Sequence, residues 1–474
     1  MKDGKTNRGT AFAGARVHVI GLGSYGTGRE VARVLAARGA DVTVSDIKPQ
    51  GDLVDEIAAL DGTGVDVQTG GDAYHGIEQA ELIVPSPGVP LDIPPLLRAR
   101  ELGIPIVSEI EVAYWIAPCP IIAVTGTKGK STTTTLIGEI LRDEGKKAEV
   151  GGNIGRPLIA LADRATADEL LVAEVSSFQL EATRDFRPKV AVLLNLFPDH
   201  LDRHASIADY RAAKAKLFAN QRPDDTAVVN RDDPEAWALR ILTQAALVPF
   251  GLSQPMSEGA DILDGWMRVK GNRICRAEAM RLRGRHNLAN ALAALAASQA
   301  AGASLDKAAD TLTRFEGLEH RLEIAAVVDG VTYVNDSQAT TPEAAIVALE
   351  AFPEHVILIA GGRPKVHDFS ALAQTIAKRG ADLVVIGEAA DELAAAARVA
   401  GVATVVGAAD LAEAVALAQR RAGPGDVVLL SPACASFDMF RNMAERGCSF
   451  KEIAHKLTRR RRSPRRRRSP RSKG

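Results

Sequence analysis

The residues best suited to chemistry lie in one short stretch, Gly126-Thr127-Lys128-Gly129-Lys130-Ser131-Thr132. An apolar run at 121–124 precedes it and helical spacing follows at 133–141, which predicts a strand, a turn and a helix. The glycines let backbone N–H groups face inward, the second lysine adds a mobile charge, and the serine adds a hydroxyl for a metal. This order predicts a phosphate-binding loop of shortened form, because Val124 stands where the full pattern has glycine. The alternative is an ordinary strand-to-helix turn that carries a lysine.

Further candidates follow the next predicted strands. Glu174 ends an apolar run, and in proteins with such loops an acid at the end of a neighbouring strand holds Mg²⁺. His200 follows a buried strand predicted at 190–195, at the end where α/β proteins gather ligand sites, although a lone histidine is usually structural. Lys214 lies in a predicted helix whose lysines would ordinarily form a solvated face. Asn287 and Asn290 are three residues apart and therefore share a helix face.

The N-terminal region carries a second glycine-rich turn. A strand predicted at 16–20 leads into the pattern G-x-G-x-x-G at 21–26, and Asp46 lies 20 residues beyond Gly26. Alone, this pattern is typical of an NAD-binding Rossmann unit. Nothing downstream resembles a dehydrogenase, so we interpret the unit as a site for the diphosphate of a nucleotide substrate. A predicted strand and Pro/Gly turn at 82–89 would form a wall of that site.

A third α/β region begins near Leu322. Its predicted strands alternate with helices at βαβ spacing and lie at 331–334, 356–359, 383–386 and 427–430. Polar loops follow these strands and give the region its own site edge. We therefore predict four segments: an N-terminal domain at 1–117, a central domain at 118–322, a C-terminal domain at 323–458, and a disordered Arg/Ser/Pro tail at 459–474.

Bulk properties fit a globular cytoplasmic protein. The chain of 474 residues is 46% hydrophobic and 25% charged, and we expect neither a membrane span nor a secretory signal. The four cysteines lack metal-ligand spacing, which fits reduced thiols. The net charge of −1 leaves −11 for residues 1–458 once the nine arginines and one lysine of the tail are set aside. The tail either attracts nucleic acid or anionic lipid by charge alone or serves as a solubilising extension.

Seven spaced motifs together resemble the Mur ligases: GTKGKST (126–132), GNIG (152–155), EVSSFQLE (174–181), DHLDR (199–203), YRAAK (210–214), GRHN (284–287) and LSPACAS (430–436). The resemblance covers roughly residues 16–455 in the order of the family. It implies an α/β protein of three domains: an N-terminal Rossmann-like unit for a UDP-linked substrate, a central P-loop domain with a parallel sheet for ATP, and a C-terminal Rossmann-like domain for an amino acid. The implied reaction is ATP-dependent amide formation in peptidoglycan precursor synthesis, through an acyl phosphate, by a monomer acting on small molecules.

The resemblance also implies roles for individual residues. Those implied for ATP are Gly126, Thr127, Lys128, Gly129, Lys130, Ser131, Thr132, Asn287, Asn290, Arg321 and Asp336. Those implied for the UDP-substrate are Gly23, Ser24, Tyr25, Asp46, Lys48, Ser86, Gly88 and Asn153. Those implied for glutamate are Thr340, Lys365, Ser436 and Met443. Two Mg²⁺ sites are implied, one at Ser131 and Glu174 and one at His200 and an N-carboxylated Lys214, with Lys130, Glu174, His200 and Lys214 as the catalytic set.

Departures from the family pattern concentrate in the predicted glutamate site. Lys128 stands where the family usually has asparagine, Gln338 replaces a lysine, Thr341 an asparagine, and Met443 a phenylalanine. The phosphoryl chemistry is therefore the firmer expectation. Addition of D-glutamate to UDP-N-acetylmuramoyl-L-alanine is the first hypothesis, and addition of L-glutamate to the same substrate is the alternative. Folylpolyglutamate synthase, which lacks the N-terminal unit, and a nucleotide- or RNA-binding module using the tail are more distant hypotheses.

Overall fold

The computed structural model describes residues 12–22, 26–71, 74–198, 203–204, 206–282, 284–364 and 367–460. The predicted fold class is confirmed: three α/β sheets follow one another along the chain. The chain packs as two compact units, divided between Phe315 and Glu316. Predicted site residues Gly23, Ser24, Tyr25, His200 and Lys365 lie outside the described residues. Within those residues no helix is long and apolar enough to cross a membrane.

The first sheet has four parallel strands in the order β3-β2-β1-β4. Its strands are β1 (Arg16–Ile20), β2 (Asp41–Asp46), β3 (Asp66–Thr69) and β4 (Leu82–Pro85). Its helices are α1 (Thr27–Ala37), α2 (Val54–Ala58), α3 (Pro94–Glu101) and α4 (Glu109–Ile116). The strand order reverses between β1 and β4. In open α/β sheets such a reversal marks the crevice in which ligands bind. The turns predicted to hold the UDP-substrate follow these two strands, and residues 23–25 of the first turn lie outside the described residues.

The second sheet has nine strands in the order β13-β12-β11-β10-β9-β8-β5-β7-β6. Its strands are β5 (Ile121–Thr125), β6 (Lys147–Gly152), β7 (Glu169–Glu174), β8 (Val190–Leu193), β9 (Thr226–Asn230), β10 (Ala246–Phe250), β11 (Ala260–Leu263), β12 (Trp266–Val269) and β13 (Asn272–Arg276). Its helices are α5 (Lys130–Asp143), α6 (Leu158–Ala162), α7 (Ser177–Glu181), α8 (Ile207–Ala215), α9 (Pro234–Ala238), α10 (Arg285–Ala300) and α11 (Ala308–Arg314). Strands β5 to β11 are parallel, as predicted, whereas β12 and β13 add an antiparallel edge.

The second unit holds a six-stranded sheet in the order β14-β15-β19-β16-β17-β18. Its strands are β14 (Glu323–Val328), β15 (Val331–Asn335), β16 (Val356–Gly361), β17 (Asp382–Ile386), β18 (Val405–Gly407) and β19 (Val427–Leu430). Its helices are α12 (Pro342–Glu350), α13 (Ser370–Arg379), α14 (Ala390–Val399), α15 (Leu411–Arg421) and α16 (Met443–Arg460). Only β14 among these strands runs antiparallel to its neighbour. Helix α16 continues two residues into the segment predicted to be disordered, and 461–474 lie outside the described residues.

The first two sheets share one hydrophobic core, and helix α4 is buried within it. Two acidic side chains of α4, Glu109 and Glu111, are also buried there. Glu111 accepts hydrogen bonds from the backbone N–H groups of Arg184, Asp185 and Phe186, at 2.7–3.0 Å. Such bonds offset the cost of burying a carboxylate and fix α4 against the chain that follows α7. The first and second sheets are therefore held together by polar contacts as well as by apolar packing.

Glu109 makes the stability of the first unit depend on pH. Its Oε1 accepts from the N–H of Ile159 at 2.6 Å, and complete burial raises its pKa from 4.5 to about 7. Because the folded state binds this proton more tightly than the unfolded state, stability falls as pH rises from 4.5 to 7 and stays low above 7. We expect a loss of about 3 kcal/mol from this group, at 1.36 kcal/mol per pKa unit.

Urea unfolding at pH 5 and pH 8 measures this loss, and Glu109→Gln should remove it from the pH dependence. The exposed Glu101 of α3 provides the control, because Glu101→Gln should keep the wild-type dependence. An unchanged dependence in Glu109→Gln would contradict the assignment.

Candidate functional site

The predicted phosphate-binding loop joins strand β5, which lies between β8 and β7 in the second sheet, to helix α5. Gly129 adopts φ +85°, and a Cβ atom at this position would lie 2.3 Å from Oδ1 of Asn290, so only glycine fits. Nδ2 of Asn290 in turn donates a hydrogen bond to Oδ1 of Asn287 at 3.3 Å. The structure thus brings both predicted asparagines together and places one of them directly at the loop.

Lys130 begins helix α5 and folds back over the loop. Its Nζ donates to the carbonyl oxygens of Gly126 at 3.0 Å and Thr127 at 2.9 Å. Ser131 is buried in the first turn of this helix, and Thr132 follows it. The first backbone N–H groups of a 14-residue helix and an ammonium group therefore face the same space. Both favour an anion such as a phosphate.

Asn195, two residues after strand β8, forms two hydrogen bonds with the loop, a contact that the sequence did not reveal. The N–H of Lys128 donates to Oδ1 of Asn195 at 2.8 Å, and Nδ2 of Asn195 donates to the Lys128 carbonyl at 3.0 Å. The hydroxyl of Thr127 contacts the hydroxyl of Tyr210 at 2.9 Å and accepts from the N–H of Phe197 at 3.0 Å. An asparagine at a strand end was the only local signal. The loop geometry is therefore fixed by residues at least 67 positions away.

Glu174 ends strand β7, opposite Val124 of β5, and is buried. Its Oε1 accepts from Nδ2 of Asn153 at 2.9 Å, whereas Oε2 is buried with no hydrogen-bond partner among the described residues. A buried carboxylate oxygen without a donor is costly unless a cation compensates it. Mg²⁺ prefers carboxylate and hydroxyl oxygens, so Glu174 and the nearby helix start fit such an ion. The contact with Asn153 also brings a predicted substrate residue to this edge.

Lys214 of helix α8 is buried and does not form a solvated face. Its Nζ donates to the Gly126 carbonyl at 3.0 Å and to Oγ1 of Thr125 at 3.2 Å. The same nitrogen lies 4.8 Å from the centre of the Tyr210 ring. The structure therefore brings Lys214 to the base of the phosphate-binding loop. Its predicted partner at the second Mg²⁺ site, His200, lies outside the described residues.

The turns of the first sheet are ordered by two of the predicted substrate residues. Asp46 accepts from the N–H of Leu22 through Oδ2 and from the N–H of Lys48 through Oδ1, both at 3.0 Å. Ser86 donates from Oγ to the Gly21 carbonyl at 2.6 Å. Both carboxylate oxygens of Asp46 thus already accept from the backbone. Its contact with a nucleotide stays a prediction.

Gly28 is the glycine that packs most tightly in this region, and the sequence pattern did not single it out. A Cβ atom there would lie 1.8 Å from the Gly21 carbonyl oxygen, so any larger residue would displace the turn. Gly26 adopts φ +72° before helix α1, whereas Gly88 is exposed with open space around it. The turn between β1 and α1 is therefore sterically demanding, as dinucleotide-type turns are.

In the second unit, Asp336 follows strand β15 and is buried. Its Oδ1 accepts from the N–H of Leu322 at 3.1 Å, and its Oδ2 accepts from the hydroxyl of Ser431 at 2.8 Å. Burial raises its pKa from 3.8 to about 6. Arg321, the other residue predicted here for ATP, is exposed. Asp336 thus fixes the loops after β15 and β19, where α/β ligand sites gather.

Arg446 of helix α16 connects the loops that carry the predicted glutamate residues, and the sequence did not reveal it. It is fully buried and donates to Oγ and the carbonyl of Ser337 at 2.9 and 3.0 Å and to the Ala435 carbonyl at 3.3 Å. The Ser337 hydroxyl donates to the Met443 carbonyl at 2.7 Å. Burial lowers the pKa of Arg446 to about 10, which keeps it charged at neutral pH. Ser436 is buried beside Ala435, and Thr340 is half-buried after the Ser337 turn.

Glu319, His320 and Cys448 form one further group of possible metal ligands among the described residues. Nδ2 of Asn335 can only donate and lies 2.9 Å from Nδ1 of His320, so this ring nitrogen accepts. The ring proton is then on Nε2, the nitrogen that faces Cys448 and Glu319. A protonated nitrogen has no lone pair for a metal. The hydrogen-bond network therefore assigns this histidine a structural role.

A helix start, an ammonium group and a buried carboxylate with one oxygen unpaired among the described residues lie at the carboxyl ends of neighbouring strands in the first unit. This arrangement places the protein among the P-loop nucleotide-binding enzymes. Three family models narrow this class: the Mur ligase MurD-like N-terminal domain matches residues 15–108, the Mur ligase middle domain 124–298, and the Mur ligase glutamate ligase domain 320–434. The chain belongs to the Mur ligase family, whose members are ATP-dependent ligases. The finer domain boundaries predicted from sequence stay predictions.

Curated relatives match along nearly the whole chain. The UDP-N-acetylmuramoylalanine–D-glutamate ligase of Pelotomaculum thermopropionicum is 48% identical and covers 94% of this chain and 98% of its own. The enzyme of the same name from Geotalea daltonii is 42% identical, with coverage of 94% and 98%.

Solved structures support the fold. UDP-N-acetylmuramate–alanine ligase MurC of Thermotoga maritima aligns with a TM-score of 0.57 at 20% identity, over 94% of this chain and 99% of its own. The MurF ligase of Thermotoga maritima, in complex with ADP, aligns with a TM-score of 0.54 at 16% identity, over 96% and 97%.

Proposed function

We propose that this chain joins D-glutamate to the terminal carboxylate of UDP-N-acetylmuramoyl-L-alanine, with cleavage of ATP, in peptidoglycan precursor synthesis. The observation that carries the ligase chemistry is Glu174, which ends the strand next to β5 and has one buried oxygen without a hydrogen-bond partner among the described residues. The choice of glutamate and of its D-form is supported by the names of the relatives, of which two are 48% and 42% identical.

The reaction joins two anions, so charge must be neutralised before they meet. ATP supplies a phosphoryl group that converts the carboxylate into an acyl phosphate, and attack by the glutamate amine then expels phosphate and leaves the amide. Lys130 and the start of α5 hold the positive charge for this transfer. Glu174 and Ser131 would hold one Mg²⁺, which neutralises phosphate charge, and His200 with Lys214 would hold a second.

N-carboxylation of Lys214 would turn a cation into an oxygen ligand and so permit the second metal site. Burial of Lys214 at the loop supports this proposal, because a lysine with a purely solubilising role would be exposed. Mass spectrometry of the protein under CO₂ should detect the carbamate. A free amine at Lys214 in a fully active enzyme would remove it from the proposal.

Purified protein should form ADP and the lengthened product from UDP-N-acetylmuramoyl-L-alanine, ATP, Mg²⁺ and D-glutamate. We expect at least roughly tenfold lower kcat/KM with L-glutamate, because a misplaced carboxylate leaves buried polar groups unpaired. Coupled ADP release and mass spectrometry of the product measure both reactions. Product with L-glutamate alone would replace D-addition by the alternative in which L-glutamate is added. Absence of ADP and of product with either form would overturn the ligase proposal.

Two other expectations accompany this proposal. A cytoplasmic, monomeric enzyme acting on small molecules fits the substrates, and sedimentation of the pure protein would test the monomer. The folylpolyglutamate synthase alternative loses support because the MurD-like N-terminal model matches residues 15–108, a unit that those synthases lack. A role of the tail in nucleic-acid binding predicts RNA affinity that deletion of residues 459–474 abolishes.

A further inference from the structure

Arg203 links the segment before helix α8, in the second sheet's part of the first unit, to a turn of the first sheet. It directly follows residues 199–202 and precedes helix α8. Its Nη2 donates to the carbonyl oxygen of Val89 at 2.9 Å. Val89 belongs to the turn after β4 of the first sheet, whereas Arg203 lies in the connection between β8 and α8 of the second sheet. The proposed mechanism gives this contact no role.

Arg203 is held on two further sides. The same Nη2 lies 3.4 Å from Oε2 of Glu181, and the guanidinium carbon lies 5.4 Å from the centre of the Phe178 ring. Its side chain is only 15% exposed. A planar guanidinium can stack on a ring while its edge donates to a carbonyl and a carboxylate, which an ammonium group cannot do. The direction of the bond to Val89 is therefore fixed.

The turn that Arg203 grips is packed against the glycine turn after β1. The Val89 N–H donates to the Ser86 carbonyl at 2.9 Å, and a Cβ atom on Gly21 would lie 3.2 Å from Cγ2 of Val89. Ser86 itself donates from Oγ to the Gly21 carbonyl at 2.6 Å. A shift of the Val89 carbonyl would thus move both turns that flank the crevice of the first sheet.

On the other side, Arg203 is linked to the phosphate-binding loop through packed rings. His204 stacks on Phe178, with 5.5 Å between ring centres, and its Nε2 lies 3.0 Å from Oγ of Ser177. His204 also meets the Tyr210 ring edge-on at 5.4 Å, and Tyr210 contacts Thr127 of the loop. Because closely packed side chains have few voids between them, a shift of one of these rings would displace its neighbours.

We propose that Arg203 is a positioning residue that sets the UDP-linked substrate, through the Val89 turn, at a fixed distance from the phosphate-binding loop. The inference rests on the proposed function, because it assigns the crevice of the first sheet to that substrate. Loss of the guanidinium should weaken binding of the UDP-substrate much more than binding of ATP. Arg203 contacts the Val89 turn directly, whereas it is linked to the loop only through intervening rings.

Arg203→Met and Arg203→Lys test this proposal by steady-state kinetics and by calorimetric binding of UDP-N-acetylmuramoyl-L-alanine alone. We expect Arg203→Met to raise KM and Kd for this substrate about tenfold, the range for a hydrogen bond to a charged group. KM for ATP should change less than twofold. For Arg203→Lys, KM and Kd for the UDP-substrate should lie between the values for Arg203→Met and wild type, because lysine keeps the charge but lacks the planar group with several donors.

Arg240 provides a matched control. It also donates to a carbonyl, that of Trp237 at 2.8 Å, and its guanidinium carbon lies 4.6 Å from the centre of the Trp237 ring. It belongs to the segment between α9 and β10 and not to the phosphate-binding loop or to the turns after β1 and β4. Arg240→Met should leave both KM values unchanged. Wild-type affinity for the UDP-substrate in Arg203→Met, or an equal rise of KM for ATP, would overturn the positioning role. Failure of the proposed function itself is distinguishable, because then wild type would neither bind this substrate nor turn it over.

Discussion

Replacement of Lys130 by methionine is expected to lower kcat/KM for amide formation roughly 10³-fold. Methionine keeps the length of the aliphatic stem and removes only the ammonium group, which in the structure lies over the Gly126 and Thr127 carbonyls. Lys130 is itself the first residue of α5, where phosphate binding is proposed. Without it, the charge that develops during phosphoryl transfer would be left to Mg²⁺ and the backbone.

The comparison requires a lysine outside the site, and Lys147 serves because its side chain is 67% exposed at the start of β6. Lys147→Met should retain wild-type kinetics, and thermal unfolding of both variants would establish that the fold is preserved. ADP release measured over a range of ATP concentrations separates loss of binding from loss of rate. Undiminished turnover in a folded Lys130→Met would remove the loop from the mechanism.

The strand-loop-helix unit around Lys130 could be predicted because all its signals are local. The apolar run at 121–124, the glycines and the helical spacing after Thr133 each report on neighbours in sequence, and β5 and α5 appear where they predict. The position of Glu174 could be predicted for the same reason, because a residue that ends an apolar strand lies at the carboxyl end of that strand; its role as a metal ligand stays a prediction. Residue type and strand position were sufficient there.

The contacts that make the site rigid could not be predicted, because they join distant parts of the chain. Asn195 and Arg446 carry no local pattern, and the contacts of Asn195 with Lys128 and of Arg446 with Ser337 span 67 and 109 residues. Asp46 matches the acidic position of a nucleotide-binding fingerprint, yet both of its oxygens accept from the backbone, a use that spacing cannot distinguish from ligand binding. The antiparallel edge β12–β13 likewise depends on pairing between strands and not on their composition.

Replacement of Glu174 by glutamine is expected to reduce turnover roughly 10²–10³-fold and, at the same time, to leave the ligand-free protein at least as stable as wild type. Glutamine keeps the shape and the Oε1 acceptor for Asn153 but removes a buried charge whose second oxygen has no donor among the described residues. A charge retained at such cost, where an amide of the same shape would serve packing, indicates selection for a cation.

Urea unfolding without nucleotide or Mg²⁺, together with turnover at increasing Mg²⁺, measures both effects on the same preparation. The exposed Glu149 on neighbouring strand β6 is the matched carboxylate, and Glu149→Gln should change neither stability nor the dependence on Mg²⁺. Loss of stability with normal turnover in Glu174→Gln would make this residue structural, since its charge would then be compensated by the fold. Gain or retention of stability with lost turnover would mean that the folded protein keeps an unfavourable charge in place, because the bound metal stabilises it when the enzyme works.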